Sequence, residues 1–297
     1  MKNTQISDSR YRGRFAPSPT GPLHFGSLVA AVGSYLDAKF NNGEWLVRIE
    51  DLDWRREVPG AASQILYTLE QLGLEWDGEI IYQSQRAKIY QDALDALKNK
   101  DLIYPCICSR KEVADSSIIG LSGPIYPGTC LKNPVPANRV HALRIRTGND
   151  LIEFNDMLRG SYSQRLSSDS GDFVLRRADG MYAYQLAVVV DDAEQKITHV
   201  VRGADLLDST PRQIFLQRLL GYSTPRYLHL PIVTNRTGEK LSKQTDAAPI
   251  DLLNALAQLV DALHFLGQKP PMEIMEGDLS AFWQWAQKNW QVNPIPH

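Results

Sequence analysis

Apolar residues recur along this chain in two periods, and the alternation between them outlines an α/β architecture. Residues 12–16 read as a short strand that runs into the turn PSPTGPLHFGS. Leu28, Val29, Val32, Tyr35, Leu36 and Phe40 then follow at the spacing of one helix face. Residues 45–50 read as a strand closing on the acidic cluster Glu50, Asp51 and Asp53. Helices are predicted over 60–72 and 86–98. Strand and helix in that rhythm predict a doubly wound, Rossmann-like parallel sheet.

The rhythm breaks at Tyr104. From there to about Gly180 the chain is rich in Ser, Gly and Pro, then strand-like at 141–146, 151–155 and 173–177, which reads as an inserted subdomain. The α/β pattern returns with the apolar run 184–191, read as a strand that Asp191 and Asp192 end. It continues with 197–201, a helix over 209–219, a strand near 228–233 and the turn NRTG. The remainder reads as helical. The predicted organisation is a first catalytic half (1–103), an insertion (104–183), a second half (184–244) and a small C-terminal helical region (245–297).

Composition narrows the class. A chain of 297 residues with 43% hydrophobic and 22% charged residues has the ordinary globular balance. No apolar run approaches the ~18 residues of a membrane span. The N-terminal MKNTQISDSRYRGRF lacks the apolar segment of a secretory signal. The expectation is a cytoplasmic, monomeric protein with no membrane partner. The net charge is −2, but residues 245–297 carry −4 and the rest +2, so a nucleic acid would meet the front of the chain.

Two short motifs carry phosphate chemistry. His24-Phe25-Gly26-Ser27 lies in a turn between strand and helix, where backbone N–H groups and the helix dipole favour an anion. Lys240-Leu241-Ser242-Lys243 places two cations around a serine after a Gly turn. Alone, the first is a turn histidine with a packing glycine and the second a solvated loop. Together, in this order, they resemble the HIGH and KMSKS elements of class I aminoacyl-tRNA synthetases. RFAPSPTGPLHFGS, VRIEDLD, YQLAVVVDD and VRGADLLDSTPRQ are similar, phrase by phrase, to the glutamyl-tRNA synthetase branch. The resemblance covers residues 12–244. It departs where Ser27 replaces the second histidine of HIGH and where the loop reads KLSKQ.

The resemblance implies an ATP-dependent ligase that adenylates L-glutamate. Carried onto matching positions, Arg14, Ala16, Ser18, Glu50, Tyr184 and Arg202 form the glutamate pocket. His24, Gly26, Lys240 and Lys243 bind ATP with Mg²⁺, with His24 and Lys243 catalytic. The residue types suit the task, since guanidinium groups bind carboxylates bidentately and Glu50 can hold an ammonium. Full-length members continue into an anticodon-binding domain, whereas 53 residues follow Gln244 here. The chain therefore resembles a shortened branch of the family, which activates glutamate without tRNA and attaches it to queuosine in the anticodon of tRNA(Asp). Rival readings are a minimal synthetase charging the tRNA 3′ end and a non-catalytic regulator.

All three cysteines fall in the insertion: Cys106, Cys108 and, after 21 intervening residues, Cys130. This spacing suits a structural Zn²⁺, which needs a fourth ligand. The residues leave Tyr126 and His141 open; the resemblance to the shortened branch favours Tyr126, four before the last cysteine. Trp283, Trp285 and Trp290 read as helix-packing aromatics. His199, His229, His264 and His297 have no partner legible in sequence.

Overall fold

The computed structural model describes residues 10–116, 119–121, 123–136, 138–234 and 248–297. The strands are β1 (Arg12–Phe15), β2 (Glu44–Ile49), β3 (Ile81–Tyr82), β4 (Ile103–Cys106), β5 (Ile119–Gly120), β6 (Gly123–Pro124), β7 (Ala142–Ile145), β8 (Leu151–Asp156), β9 (Gly160–Arg165), β10 (Val174–Arg176), β11 (His199–Gly203) and β12 (Arg226–Leu230). The helices are α1 (Phe25–Phe40), α2 (Ala61–Gln71), α3 (Ala87–Lys98), α4 (Arg110–Ser116), α5 (Thr129–Lys132), α6 (Leu166–Asp169), α7 (Tyr184–Glu194), α8 (Thr210–Leu220), α9 (Ala255–Phe265), α10 (Met272–Met275) and α11 (Leu279–Asn289).

β1, β2 and β3 pair in parallel, as do β11 and β12, with β12 also parallel to β8. The two parallel groups meet edge to edge where the Thr198 N–H donates to the Arg12 carbonyl at 2.9 Å and the Arg12 N–H donates to Thr198 Oγ1 at 2.8 Å. This is the predicted doubly wound arrangement, with its switch point between β1 and β11, where such sheets bind ligands. The hairpin β8–β9 extends the second group, although it lies within residues 104–183. β4, β7 and β10 form a separate antiparallel sheet.

One element differs in kind. The apolar run 184–191 is the helix α7, not a strand. Leu186 through Asp192 are all buried, so no polar face interrupts the run. A short segment without amphipathic period cannot be assigned to helix or strand from its pattern. Asp191 and Asp192 thus sit in the last turn of a buried helix.

α1 packs Leu28, Val29, Val32 and Leu36 against a core shared with β1, β2, α2 and the C-terminal helices. A second core joins α3, α7 and α8. The three tryptophans do pack: Trp283 Nε1 donates to the Leu72 carbonyl at 2.8 Å, Trp290 Nε1 donates to Asp37 at 3.0 Å, and Trp285 lies against the same core. Gly73, at φ +71°, permits this approach, because a Cβ there would stand 2.8 Å from the Trp283 indole nitrogen. No described helix is long and apolar enough to cross a membrane.

Candidate active site

Four elements deliver the expected glutamate ligands to the switch point. Arg14 comes from β1, Glu50 follows β2, Tyr184 opens α7 and Arg202 lies on β11. Arg14 is 3% exposed and forks onto Asp192, Nε to Oδ1 at 3.1 Å and Nη2 to Oδ2 at 3.4 Å. Arg202 is 5% exposed; its Nε donates to His229 Nε2 at 3.2 Å and its Nη2 to Thr210 Oγ1 at 2.8 Å. Burial raises the Tyr184 hydroxyl pKa, and the fields of Arg202, Glu50, Arg14 and Asp192 all reach that ring. The four expected residues therefore share one electrostatic environment.

Beneath them lies a network the sequence did not announce. Arg48 is fully buried and contacts Asp192 at 2.8 Å, Gln195 at 2.7 Å, Glu50 at 3.3 Å and Asp191 at 3.8 Å. Asp191 further accepts from Gln83 and Arg86 at 2.7 Å and from Tyr90 at 2.8 Å. Desolvation raises the carboxyl pKa of Glu50 above its ordinary value, with Arg48 and Arg14 opposing. Desolvation also acts upward on Asp192, but there Arg14 and Arg48 win and hold its pKa low. Asp192 is thus the fixed counter-charge and Glu50 the adjustable one.

Ser18, Glu50 and Tyr184 line a cavity of about 1080 Å³ whose far wall, with Cys108, Arg110 and Arg144, belongs to the segment carrying the cysteines. Arg14, His24 and Arg202 do not line this cavity. Ala16 and Gly26 are half-buried, one after β1 and the other in the first turn of α1.

At the expected nucleotide end, His24 caps α1, its Nδ1 accepting from the Ser27 N–H at 3.3 Å. Pro249 forms an antiparallel bridge with His24, and the Ile250 N–H donates to the Leu23 carbonyl at 3.0 Å. Pro249 and Ile250 thus lie directly against the HFGS turn. Lys240 and Lys243 lie outside the described residues.

The three cysteines converge, their Sγ atoms all within 4.8 Å of one another. Tyr126 Oη lies 3.4 Å from Cys106 Sγ and 3.5 Å from Cys108 Sγ, and accepts the Cys130 N–H at 2.8 Å. His141 instead faces the Arg139 carbonyl at 2.8 Å. A tetrahedral Zn²⁺ with ~2.3 Å bonds to sulfur asks for sulfurs ~3.8 Å apart, and Cys108 and Cys130 stand at 3.5 Å. The donor set fits. Arg144 adds a cation, its Nε donating to Cys106 Sγ at 3.2 Å and its guanidinium 4.1 Å from the Tyr126 ring.

The sequence alone does not single out Arg48, Gln195, His229 or Asp156, and it assigns no role to Asp191 and Asp192. His229 does have partners, Asp156 at 2.6 Å and Arg202 at 3.2 Å. The one local signal was a charge inside an apolar strand: Arg48 sits between Val47 and Ile49, where an unpaired cation could not be buried.

Residues 10–254 match the family of class I tRNA synthetases (E and Q), catalytic domain. The glutamyl-Q tRNA(Asp) synthetase of Dechloromonas aromatica is 57% identical over 292 residues, 97% of each chain. Its counterpart in Chromobacterium violaceum is 54% identical, over 98% of this chain and 97% of that one. Among solved structures, a glutamate tRNA ligase from Elizabethkingia meningosepticum, in complex with its amino acid, aligns with a TM-score of 0.77 at 27% identity. That alignment covers 97% of this chain and 66% of the ligase.

Proposed function

Because this chain belongs to the class I tRNA synthetases of the E and Q type, we propose that it activates L-glutamate with ATP, without tRNA, and transfers it to queuosine in the anticodon of tRNA(Asp). The carrying observation is that Arg14, Glu50, Tyr184 and Arg202 come from four separate elements around the junction of β1 and β11, with Arg14 and Glu50 tied together through Asp192 and Arg48. Near-full-length similarity to relatives named glutamyl-Q tRNA(Asp) synthetase supports the acceptor in this reading.

In this reading Arg14 and Arg202 take the substrate's carboxylates, Glu50 its ammonium, and Tyr184 adds a hydroxyl, with Ala16 and Ser18 closing the pocket. The α-carboxylate attacks the α-phosphorus of ATP; the bond to pyrophosphate breaks and glutamyl-adenylate remains. The nucleophile is already ionised, so no general base is required. The protein contributes position and charge stabilisation. His24 and Gly26 present the start of α1 to the phosphates, and Lys240 and Lys243 neutralise the charge building on pyrophosphate. Mg²⁺ entering with ATP would supply further phosphate neutralisation. Cys106, Cys108, Tyr126 and Cys130 would hold a structural Zn²⁺ that fixes the fold around the cavity's far wall.

The test uses labelled glutamate, ATP and two tRNA pools, from queuosine-containing and queuosine-lacking cells, alongside pyrophosphate exchange without tRNA. Exchange without tRNA, with labelling confined to tRNA(Asp) of the first pool, is expected. Equal labelling of both pools would replace the anticodon acceptor with the tRNA 3′ end. Absence of exchange would overturn tRNA-independent activation.

A further inference from the structure

We propose that His229, anchored by Asp156, is a positioning residue that sets the Arg202 guanidinium for the substrate carboxylate. The inference rests on the reading of Arg202 as a glutamate ligand. Three adjacent strands supply the chain of contacts: Arg202 on β11 stands in register with His229 on β12, and the register of Asp156 on β8 falls at Tyr227, two residues away. Asp156 and His229 are 1% and 0% exposed.

The direction of each hydrogen bond follows from the donor inventory. The Asp156 carboxylate accepts backbone N–H groups of Leu158 at 3.0 Å, Arg159 at 2.9 Å and His229 at 3.1 Å. Burial acts upward on its pKa, but these donors and the His229 ring hold it low, so it is an acceptor only. His229 Nδ1, at 2.6 Å from Oδ2, must therefore carry a proton. His229 Nε2 meets Arg202 Nε at 3.2 Å and the Thr210 hydroxyl at 3.1 Å; an arginine can only donate, and Thr210 Oγ1, which accepts from Arg202 Nη2, keeps its O–H to donate. Nε2 is thus the lone-pair side of a neutral ring. A second proton there would set two donors and two cations against each other in a dry site, and Arg159 lies close enough to disfavour it further.

The guanidinium is consequently fixed through two of its three nitrogens, Nε on His229 and Nη2 on Thr210 and the Leu206 carbonyl. Nη1 is buried and has no hydrogen-bond partner among the described residues. A buried donor left over after the other two are fixed is the atom offered to a carboxylate.

Glutamate-dependent pyrophosphate exchange tests this with two variants that split the ring's roles. His229→Asn keeps a donor for Asp156 and loses the acceptor for Arg202; His229→Gln keeps an acceptor near the Nε2 position. The Asn variant is expected to raise the KM for glutamate roughly tenfold to a hundredfold, the scale of one hydrogen bond to a charged group. Its kcat and its KM for ATP stay near wild type, and the Gln variant recovers much of the loss. A folded Asn variant with unchanged glutamate KM overturns the proposal. Should that variant not fold, ¹⁵N spectra of histidine-labelled wild type, assigned against single histidine substitutions, still decide. A neutral Nδ1–H tautomer supports the proposal, and an Nε2–H tautomer or an imidazolium at neutral pH overturns it. Wild-type protein lacking glutamate-dependent exchange would overturn the proposed function itself, and this inference with it.

Discussion

Arg48 is a fully buried cation contacting three carboxylates, Asp191 and Asp192 in the interior and Glu50 at the cavity wall. Removing one member of such a set leaves buried charge uncompensated, which costs about 3–5 kcal/mol. Arg48→Met is therefore expected to lower the unfolding midpoint sharply, with Arg48→Lys intermediate, as thermal denaturation would measure. Glu50 sets a pH dependence. Its carboxyl titrates above the ordinary 4.5 because it is buried, so the ionised form needed for an ammonium is lost early on acidification. The KM for glutamate should rise as pH falls toward that raised value, and Glu50→Gln should raise KM throughout and flatten the profile. His199 behaves oppositely: burial, with Arg226 nearby, depresses it to about 4 from 6.5. Between those values the unfolded chain binds the extra proton, so stability falls as pH drops from about 6.5 to about 4. His199→Asn should flatten denaturation profiles across that window. At this scale Arg14 and Glu50 are legible in the sequence as expected ligands through the family resemblance, because each falls within a matching phrase. Asp192 and His229 stayed hidden because their partners stand 178 and 73 residues away, in Arg14 and Asp156.

Among the elements that periodicity bounds, most lie within a residue or two of the expected positions, whereas β3, β4, β9 and the short helices of the insertion carry no such signal. α7 differs in kind, for a reason that lies in its surroundings. Buried on every side, it shows a continuous apolar run that a central parallel strand would show equally. Only the buried charge pair at its end distinguishes it, and that pair has meaning only once β1 and β2 are set beside it. The cysteine-bearing segment gives a sharper prediction. Protein prepared without chelator should carry about one Zn²⁺ per chain, the count of one tetrahedral Cys-rich site. Tyr126→Phe should lower retention under chelator challenge and His141→Ala should not, by elemental analysis. Equal loss in both variants would remove Tyr126 from the ligand set.

On the scale of the whole molecule, the α/β class was readable from rhythm alone, whereas the seat of the C-terminal helices was not. Their aromatics announce packing without naming a partner, and the partners are the Leu72 carbonyl and Asp37. Asp37 is buried and also accepts from Tyr11 at 2.5 Å. Trp290→Phe deprives it of one donor and should cost about 1–3 kcal/mol, seen as a lower midpoint in denaturant. Residues 255–290 are thus part of the catalytic core's stability despite their separate place in the sequence.

The junction of β1 with β11 has a consequence for the order in which the molecule is made. Arg14 and Arg48 are synthesised early, and their partners Asp192 and Gln195 come 178 and 147 residues later. A nascent chain that has completed β1 to β3 holds two cations destined for burial with most of their counter-charges still untranslated. Those side chains stay in water until α7 emerges, so the candidate pocket cannot be completed by the N-terminal elements alone.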